Sequence, residues 1–505
     1  MNPLLLTDGY KTGHHKQYPE GTTLVYSNFT PRSNKYAPKG CDRVVSFGQQ
    51  LIMKQIHEAF EKDFFHQPKE LVCAEIKREL SMYLGTDYDV SHFEALWDLQ
   101  YLPIKVKAIK EGTLVPIKVP VLTIVNTHPD FYWITNYLET IISNMLWKPM
   151  TSATIAHQYK KVLEHWAEKT NRDAMEFVNW QGHDFSMRGM DSTEAVISSG
   201  LGHLTSFLGS DSLPAIYGAR KYYGEKEFVA GSVNATEHSV MCAGTKDDEV
   251  GTFRRLLTET YPSGILSVVS DTWDLWKVCT EHIVTLKEEI LARDGKLVIR
   301  PDSGDPVDIL CGTQIFEDAD HYNDYELDRE SILTAEEKGV IELLWDVFGG
   351  TVNEQGYKVL DPHIGAIYGD SITIDRADEI CARLEAKGFA STNVVLGIGS
   401  FTYQYNTRDT FGFAMKATYV EVNGEGREIF KDPITDDGTK KSATGLLCVQ
   451  PLSDGSIYLM DKVSWDSEGK GLLASIYVDG KFHNVTTLSD VRANLRIANA
   501  LEELV

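Results

Sequence analysis

The chain has 505 residues, of which 42% are hydrophobic and 24% charged, which predicts two or three globular domains and excludes a disordered tail, a collagen-like fibre and a coiled coil. With 49 Lys and Arg against 73 Asp and Glu, the formal net charge is −24, and so acidic a surface repels nucleic acid and anionic lipid at long range. We therefore expect neither a nucleic-acid nor a membrane partner, while a local basic pocket for a small anion stays compatible with this charge.

The cysteines and the amino terminus favour a cytoplasmic location. Seven cysteines are scattered along the chain without a CxxC pair, which suggests buried thiols in a reducing compartment rather than a zinc site or a disulfide framework. The first residues, MNPLLLTDGYK, have no basic start and no long apolar run, so they do not resemble a signal peptide. No uncharged apolar segment approaches the roughly 18–20 residues of a membrane helix. We predict a soluble cytoplasmic protein.

The first third of the chain predicts strands followed by helix. Residues 104–125 read IKVKAIKEGTLVPIKVPVLTIV, and their partial alternation and β-branched content indicate strands. Residues 126–129 break this pattern, and a helical region rich in aromatic residues follows through about residue 170.

From about residue 175, strand-like runs alternate with helical stretches. The runs read EFVNWQGHDF, ILSVVSD, KLVIRPDSG, IGAIYGD and NVVLGIGS. This alternation favours parallel strands buried on both faces, either in a (β/α) barrel or in an open doubly wound sheet. In both folds the active site lies at the carboxyl ends of the strands. The residues that the sequence puts there are Asp184, Asp271, Arg300, Asp302, Asp370 and Gly399.

After residue 410 the pattern becomes antiparallel. Asn423-Gly424, Asp454-Gly455 and Asp479-Gly480 are hairpin signals between strand-like runs, and a final helix is expected near Ser489, which can cap it. We therefore predict an α/β fold: an irregular (β/α) barrel-like parallel core at 151–409, and a second α+β domain formed by the two termini, 1–150 and 410–505.

Two segments at predicted strand ends combine an arginine with a carboxylate. In HDFSMRG, residues 183–189, Phe185 could stack on a planar ligand while Arg188 binds an anion; the alternative is a core phenylalanine beside a surface salt bridge. In IRPDSGDP, residues 299–306, Arg300 and Asp302 point to the same side of an extended strand. This pair suits a sugar phosphate, with the carboxylate accepting hydroxyls or meeting Mg²⁺, or else forms a local salt bridge in a turn.

Two further segments carry weaker signals. In ATEHS, residues 235–239, Glu237 adjoins His238, and Asp271 ends a strand that could lie nearby; such a carboxylate would fix the imidazole tautomer, although a lone histidine is usually structural. In LGIGSFTYQYNTRD, Gly397 and Gly399 follow a strand and could bring backbone N–H groups to a phosphate. The chain has no GxGxxG, no GxxxxGK[ST] and no HExxH, so a Rossmann site, a P-loop and that metalloprotease motif are unsupported.

Taken in this order, the motifs resemble the nicotinamide phosphoribosyltransferases, a family of type II phosphoribosyltransferases. The resemblance runs from LLTDGYKTGHHKQYP at 5–19, through PDFYWITNYLETI, HDFSMRG, KYYG, ATEHS, SVVSD and IRPDSGDP, to GD at 369–370, TRD at 407–409 and KDP at 431–433. Each motif is modest by itself, whereas the colinear set is highly specific. The resemblance implies condensation of nicotinamide with phosphoribosyl pyrophosphate to nicotinamide mononucleotide and pyrophosphate, in a homodimer with shared active sites.

The resemblance also implies roles for individual residues. It implies catalytic roles for His238, Asp271, Asp302 and Arg300, with His238 phosphorylated by the co-substrate ATP and Asp271 orienting it. It implies substrate-binding roles for Asp8, Tyr10, Phe185, Arg188, Asp211, Ser232, Ser267, Gly369, Asp370, Gly399, Ser400 and Arg408, and pyrophosphate or ATP contacts for Arg32, Glu237, Lys416 and Lys431. Among these, Phe185 and Tyr10 of the partner subunit would enclose the pyridine ring, and Asp211 would accept from the carboxamide. Mg²⁺ is the implied cofactor, and its ligands remain open.

The chain departs from the family pattern in two places. The glycine-rich run is thinner, reading GIGSF, and Ser400 and Phe401 both carry a Cβ where the backbone would approach a phosphate. The region 312–345 looks expanded and acidic. Phosphate geometry and regulation are therefore less closely implied than the type of reaction.

Two alternative functions remain open at this stage. A nicotinate phosphoribosyltransferase would have the same architecture but bind a carboxylate substrate, which Asp211 disfavours because two carboxylates would face each other. A binding protein of the same fold that has lost catalysis is disfavoured because His238, Arg300, Asp302 and Arg408 are all present.

Overall fold

The computed structural model describes residues 1–316, 333–369, 371–435, 441–452 and 455–502. The chain forms two compact units. The terminal unit comprises Met1–Thr154, Tyr217–Lys226 and Asn406–Val505, and the barrel unit comprises Ile155–Ile216 and Glu227–Tyr405. Both termini thus build one unit, and the membership of Tyr217–Lys226 in it is a feature that the sequence pattern did not indicate.

The strands of the described residues are numbered in chain order. They are β1 (Thr22–Thr30), β2 (Arg43–Val45), β3 (Ile104–Ile109), β4 (Leu114–Pro116), β5 (Leu122–Asn126), β6 (Gly182–Asp184), β7 (Gly209–Ser210), β8 (Asn234–Ala235), β9 (Ser263–Val269), β10 (Asp294–Arg300), β11 (Gly350–Val352), β12 (Lys358–Leu360), β13 (Ile364–Tyr368), β14 (Val394–Ile398), β15 (Ala414–Val422), β16 (Glu425–Glu428), β17 (Leu446–Pro451), β18 (Ile457–Val463), β19 (Leu473–Val478) and β20 (Lys481–Phe482).

The α-helices of the described residues are numbered in the same way. They are α1 (Gln49–Phe60), α2 (Lys69–Leu84), α3 (Ser91–Leu99), α4 (Ile134–Tyr137), α5 (Glu139–Thr170), α6 (Val178–Gln181), α7 (Thr193–His203), α8 (Leu213–Tyr223), α9 (His238–Ala243), α10 (Glu249–Arg255), α11 (Leu275–Lys277), α12 (Ile283–Thr285), α13 (Lys287–Leu291), α14 (Pro306–Cys311), α15 (Ala335–Lys338), α16 (Val340–Phe348), α17 (Ile374–Ala386), α18 (Ser400–Tyr403), α19 (Trp465–Glu468) and α20 (Leu488–Glu502). None of these helices is both long enough and apolar enough to cross a membrane.

The barrel unit is built around a parallel sheet. Its seven strands follow the order β7-β6-β14-β13-β10-β9-β8, and β9 and β10 pair from Ser263 with Asp294 to Val269 with Arg300. At the two ends of this order, Gly209 of β7 forms a parallel bridge with Gly231, just before β8. The sheet is therefore curled into an irregular barrel, which confirms the predicted fold class.

Strands β13 and β14, and β9 from Leu266 onward, are buried on both faces. Leu266, Leu297 and Leu396 on the strands have no exposed surface, and they belong to one apolar cluster with Leu310 of α14 and Ile380 of α17. Burial on both faces requires apolar side chains at successive positions, not only at alternate ones. This requirement explains the nearly continuous apolar runs by which the sequence predicted β9, β13 and β14, whereas burial alternates along β10.

The first predicted strand of the barrel is mostly wrong. Of the run EFVNWQGHDF, only Gly182–Asp184 is a strand, and Val178–Gln181 form α6. The Asn179 side-chain amide donates to the carbonyl oxygen of Glu176 at 3.0 Å, a contact one helical turn apart that an extended chain cannot make.

The terminal unit contains an antiparallel sheet in the order β16-β15-β1-β5-β3-β19-β20. Strand β1 pairs with β15, so that Thr30 lies opposite Ala414 and Thr22 opposite Val422. Strands β3, β4 and β5 confirm the prediction for residues 104–125. Because β1 and β15 come from opposite ends of the chain, the sheet of the terminal unit joins residues of both termini.

Two predicted hairpins have the turn geometry that their sequences require. Asn423 and Gly424 have φ of 53° and 75° between β15 and β16, and Asp479 and Gly480 have 47° and 81° between β19 and β20. Asn-Gly and Asp-Gly pairs favour the positive φ of such turns. Asp454 of the third signal lies outside the described residues.

The capping residue of the last helix differs from the prediction. Helix α20 begins at Leu488, so Ser489 lies inside the helix. Thr487 accepts a hydrogen bond on its hydroxyl from the backbone N–H of Asp490 at 3.0 Å, and the Asp490 carboxylate accepts from the N–H of Thr487 at 3.0 Å. This reciprocal pair satisfies two helix-end donors, which a serine two positions later could not do.

Candidate active site

A cavity of about 580 Å³ lies inside the barrel unit. At the carboxyl ends of the strands it is bordered by His183, Phe185, Asp211 and Arg300, and near their amino ends it reaches Lys296. The wall between is largely apolar and includes Trp180, Phe228, Val233, Ile265, Val298, Val359, Leu360, Ile364, Ile367 and Val395. A mostly apolar cavity with a few convergent polar groups is the usual form of a small-molecule site.

Phe185, directly after β6, forms a fixed aromatic wall of this cavity. Its backbone N–H donates to the carbonyl oxygen of Ile398 at 3.0 Å, and the Arg300 guanidinium carbon lies 5.7 Å from its ring centroid. A Cβ on Gly397 would lie 2.7 Å from Phe185 Cδ2, so the glycine allows the ring to lie against β14. A planar ligand can therefore stack here beside a cation.

Asp211, directly after β7, supplies a negative charge to the cavity. Its Oδ1 accepts hydrogen bonds from His183 Nε2 at 2.8 Å and from Ser232 Oγ at 2.5 Å. Burial raises the pKa of this carboxyl, but the two hydrogen bonds and the charge of Arg300 outweigh burial, so the pKa lies below its ordinary value. Asp211 is thus an ionised acceptor. Ser267 of β9, another predicted site residue, also lines the cavity.

His238, at the start of α9, faces two carboxylates. Its Nε2 lies 3.9 Å from Asp271 Oδ1 and 3.8 Å from Asp302 Oδ2, while its Nδ1 lies 3.2 Å from the hydroxyl of Thr272. Asp271 Oδ2 accepts from the backbone N–H of Asp302 at 2.8 Å and from Ser303 Oγ at 2.6 Å. The structure therefore brings together the histidine and both carboxylates that the sequence singled out.

The imidazole of His238 is accessible, whereas Asp271 is buried. The His238 side chain is 48% exposed and that of Asp271 only 4%. Asp271 Oδ1 is a buried oxygen with no hydrogen-bond partner among the described residues. The buried carboxylate thus places a negative charge opposite Nε2 of the imidazole without a hydrogen bond to it.

Gly369, directly after β13, brings its backbone close to the side chains of Asp302 and Arg300. A Cβ there would lie 2.5 Å from Asp302 Oδ1 and 3.4 Å from Arg300 Nε. The predicted contact residue Asp370 follows it and lies outside the described residues.

The motif HDFSMRG meets the GIGS segment in the barrel unit. Gly399 is buried at the end of β14, and a Cβ on Gly189 would overlap the side chain of Ser400. Arg188, next to Gly189 in sequence, is exposed. Glu237 is also exposed, and its carboxylate accepts a short hydrogen bond from the hydroxyl of Ser239.

The predicted site residues of the terminal unit form a separate basic group. Arg32 and Lys416 line a pocket of about 390 Å³ together with Lys118 and Lys441. Burial lowers the pKa of Lys416, and the neighbouring charges of Arg32 and Lys431 add to this effect. Cations gathered in one pocket suit a polyanion.

The remaining predicted residues of this unit lie in two short turns. Asp8 accepts from the hydroxyl of Thr140 at 2.7 Å, and Tyr10 is 66% exposed. Lys11, which is buried, forms an ion pair with Glu139 at 2.7 Å and so fixes the turn that carries Tyr10. In the second turn, Arg408 pairs with its neighbour Asp409 at 3.1 Å.

Sequence reasoning missed several polar residues of these sites. His183 and Lys296 line the cavity of the barrel unit, Thr272 contacts His238, and Lys118 and Lys441 line the basic pocket. His183 alone had a signal, since it opens the motif HDFSMRG. Burial lowers the pKa of Lys296, whose aliphatic part can line an apolar wall.

Among the side chains that the structure describes, no three His, Cys, Asp or Glu residues are grouped to bind a metal ion. Mg²⁺ needs fewer protein ligands, because it usually binds one or two carboxylates together with water and substrate phosphates. Asp302 and the buried Oδ1 of Asp271 are donors of that type.

Two family models match the chain. One, described as the nicotinate phosphoribosyltransferase (NAPRTase) family, matches residues 180–481, and one described as the nicotinamide phosphoribosyltransferase N-terminal domain matches residues 2–105.

Named relatives are similar over the full chain. A protein of Acinetobacter baylyi named nicotinamide phosphoribosyltransferase is 50% identical over 513 residues, covering 99% of this chain and 98% of that protein. A protein of the same name from Xanthomonas campestris pv. campestris is 33% identical over 501 residues, covering 98% of both.

Solved structures share the fold at low identity. Human nicotinic acid phosphoribosyltransferase aligns with a TM-score of 0.55 and 15% identity, covering 98% of this chain and 94% of that chain. Nicotinate-nucleotide pyrophosphorylase from Pyrococcus furiosus aligns with a TM-score of 0.56 and 15% identity, covering 99% and 95%.

The close approach at Gly397 gives a first prediction. Gly397→Ala should destabilise the barrel unit by about 1–3 kcal/mol and weaken binding of planar aromatic ligands, because its Cβ would lie 2.6 Å from the carbonyl oxygen of Tyr368 and 2.7 Å from Phe185 Cδ2. Gly365→Ala is the matched control, since its Cβ would lie at an ordinary 3.4 Å from Lys296 Cδ. Thermal unfolding and ligand titration of both variants measure the two effects. If both variants unfold at the same temperature and bind the ligand equally well, the close contact of Gly397 with Phe185 would be contradicted.

Proposed function

The chain belongs to the nicotinate phosphoribosyltransferase family, and from this premise we propose that it condenses nicotinamide with phosphoribosyl pyrophosphate to nicotinamide mononucleotide and pyrophosphate, in NAD biosynthesis. The observation that carries the choice of nicotinamide is the ionised Asp211 at the cavity wall. Relatives that bear the name nicotinamide phosphoribosyltransferase support the same choice.

The cavity suits the carboxamide better than the acid. The pyridine ring would stack on Phe185, and the amide NH₂ would donate to Asp211. A hydrogen bond to a charged acceptor contributes roughly 1.5–3 kcal/mol. Nicotinate would bring a second negative charge to Asp211, and two charges about 4 Å apart repel by roughly 4 kcal/mol at an effective dielectric near 20.

The residues at the strand ends suit the sugar phosphate. Asp302 would accept the ribose hydroxyls, with Asp370 proposed for the same role. Arg300, Gly399 and Ser400 of the barrel unit would surround the 5′-phosphate, and Arg188 would meet the leaving pyrophosphate. Guanidinium groups and backbone N–H donors are the usual ligands of phosphate oxygens.

The reaction transfers the ribosyl carbon from oxygen to nitrogen. The bond from the anomeric carbon to the pyrophosphate oxygen breaks, its electron pair leaves with pyrophosphate, and the pyridine nitrogen forms the new bond to that carbon. The nucleophile is neutral and loses no proton, so this chain needs no general base. Its residues act by alignment between ring and sugar and by cationic stabilisation of the leaving group. Mg²⁺, when bound to Asp302 and Asp271 Oδ1, supplies further positive charge for that leaving group.

ATP would act through His238. One imidazole nitrogen attacks the γ-phosphorus of ATP, the bond from that phosphorus to the bridging oxygen breaks, and ADP leaves with the electron pair. Asp271 and Asp302 would stabilise the imidazolium as it forms, and Glu237 lies next to the histidine. The phosphohistidine adds charge near the pyrophosphate site and is hydrolysed in each cycle.

A homodimer would complete each site. In this proposal Tyr10 of the partner subunit covers the second face of the nicotinamide ring, with Asp8 next to it. Arg32, Lys416 and Lys431 would serve pyrophosphate or ATP phosphates from that side. The exposure of Tyr10 and the basic pocket of Arg32 and Lys416 support this arrangement.

A cytoplasmic location is part of the same proposal. All seven cysteines lie in the described residues and form no disulfide bond there, and six of them are buried. Free thiols are typical of proteins in a reducing compartment.

Product analysis tests the reaction and its selectivity. With phosphoribosyl pyrophosphate and Mg²⁺, the purified protein should convert nicotinamide to its mononucleotide. Asp211→Asn should lower the ratio of kcat/KM for nicotinamide to kcat/KM for nicotinate by about tenfold or more, because one charged hydrogen bond to nicotinamide and one repulsion of nicotinate are lost. Mass spectrometry of both products gives the ratio of kcat/KM. Asp173→Asn, an exposed aspartate of the same unit, is the control. A wild type that prefers nicotinate would refute the proposed substrate.

The phosphohistidine gives a separate prediction. His238→Ala should abolish ATP hydrolysis linked to synthesis and retain a weaker ATP-independent synthesis, because alignment of nicotinamide and sugar does not need this imidazole. Radiolabelled γ-phosphate should appear on the wild type and on the control His165→Ala, an exposed histidine. Label that persists on His238→Ala would show that another residue accepts the phosphate.

Hybrid dimers test the shared site. Tyr10→Ala and Asp302→Ala should each be inactive as homodimers, and mixing them should restore part of the activity, because a hybrid dimer contains one site with both native residues. Native mass spectrometry measures subunit exchange in the same mixture. Exchange without recovered synthesis would mean that both residues act within one subunit.

A further inference from the structure

The carboxylate of Asp211 is held by two hydrogen bonds to a single oxygen. His183 Nε2 and Ser232 Oγ both donate to Oδ1, at 2.8 and 2.5 Å. No hydrogen bond to Oδ2 is formed among the described residues, and the side chain is 44% exposed at the cavity. One oxygen is therefore saturated by the protein, while the other can accept from a ligand.

The imidazole of His183 is held in one orientation. Its side chain is 10% exposed, its ring centroid lies 4.5 Å from that of Phe185, and a Cβ on Gly209 would lie 2.7 Å from its Nδ1. An ionised carboxylate can only accept, so Nε2 carries the proton of the hydrogen bond to Asp211. The packing of the ring thus fixes which nitrogen donates and where Asp211 Oδ1 lies.

We propose that His183 is a positioning residue for substrate specificity: its hydrogen bond keeps Asp211 ionised and oriented with Oδ2 toward the cavity, so that the site accepts a carboxamide N–H donor and rejects a carboxylate. Ser232 supports the same oxygen from the segment before β8. The inference deepens the proposed function, because it assigns the discrimination between amide and acid to a residue that has no assigned contact with the substrate.

The groups that face Asp211 agree with the positioning role of His183. They are the donors His183 from β6 and Ser232 from the segment before β8, and the positively charged Arg300 from β10. Burial raises the pKa of Asp211, and the hydrogen bonds from His183 and Ser232 outweigh that effect. Without the His183 donor the pKa of Asp211 rises, so the carboxylate protonates at higher pH, and it ceases to repel an acid only below that pH.

A purely structural role for His183 makes a different prediction. Loss of packing would lower kcat/KM for nicotinamide and nicotinate together and leave their ratio unchanged. Loss of the donor changes the ratio, because it alters the charge and direction of Asp211 and not the stacking surface of Phe185.

The experiment compares His183→Gln with His183→Leu. Glutamine keeps an N–H donor near the position of Nε2, whereas leucine keeps volume and removes the donor. We expect His183→Leu to lower the preference for nicotinamide over nicotinate about tenfold or more, mostly through KM, since loss of one charged hydrogen bond has that effect. In the pH profile of kcat/KM for nicotinamide, the decline on the acid side, the acid limb, should occur at higher pH in His183→Leu than in the wild type. His183→Gln should retain most of the preference and the wild-type acid limb.

Direct binding separates this inference from the proposed reaction. Calorimetric titration with nicotinamide and nicotinate measures the preference even if no mononucleotide forms, and Ser232→Ala, at an exposed position, provides a second loss of donor if His183→Leu does not fold. A lower preference in either variant supports the inference. An unchanged preference and acid limb in folded His183→Leu, or in Ser232→Ala where His183→Leu does not fold, overturns it. A wild type that binds neither compound overturns both this inference and the proposed function.

Discussion

Parallel strand pairing is the constraint on which the site depends. Because β9, β10, β13 and β14 run in one direction, their carboxyl ends meet at one edge of the sheet, and the residue that follows each strand faces the same region. Phe185 and Arg300, which are more than a hundred positions apart, come into contact in this way. The pairing also explains why a cavity can open between these ends, since a small curled sheet encloses space that its own side chains fill only in part.

Local signals in the sequence were sufficient for the regular parts of the fold. Asn423-Gly424 fixes its hairpin because both residues accept positive φ, and the apolar runs of β13 and β14 match burial on both faces. The last helix was predicted with the wrong cap, since Thr487 and Ser489 are both acceptable cap residues and only the reciprocal contact with Asp490 decides between them.

The site was harder to predict where it depends on long-range contacts. His183 and Asp211 are 28 positions apart, and Ser232 is 21 positions from Asp211. No periodicity links such residues, and strands β6 to β8 are too short to give a pattern of alternation. The resemblance to a family identified Asp211 and Ser232, whereas the role of His183 follows only from the direction of its hydrogen bond.

Buried polar atoms without partners at the strand ends lower the stability of the protein but remain available to bind a ligand. Asp271 Oδ1, Arg300 Nε, Ser267 Oγ and Asp184 Oδ2 are buried there without a hydrogen-bond partner among the described residues, and each such atom costs about 1–3 kcal/mol. Elsewhere in the same unit, the buried Lys387 forms an ion pair and also donates to two carbonyl oxygens. A buried charged side chain of this unit can therefore have all its hydrogen-bonding groups paired within the protein. A ligand that supplies donors to Asp271 and acceptors to Arg300 recovers the lost hydrogen-bond energy on binding, so the incomplete pairing converts part of the folding free energy into affinity.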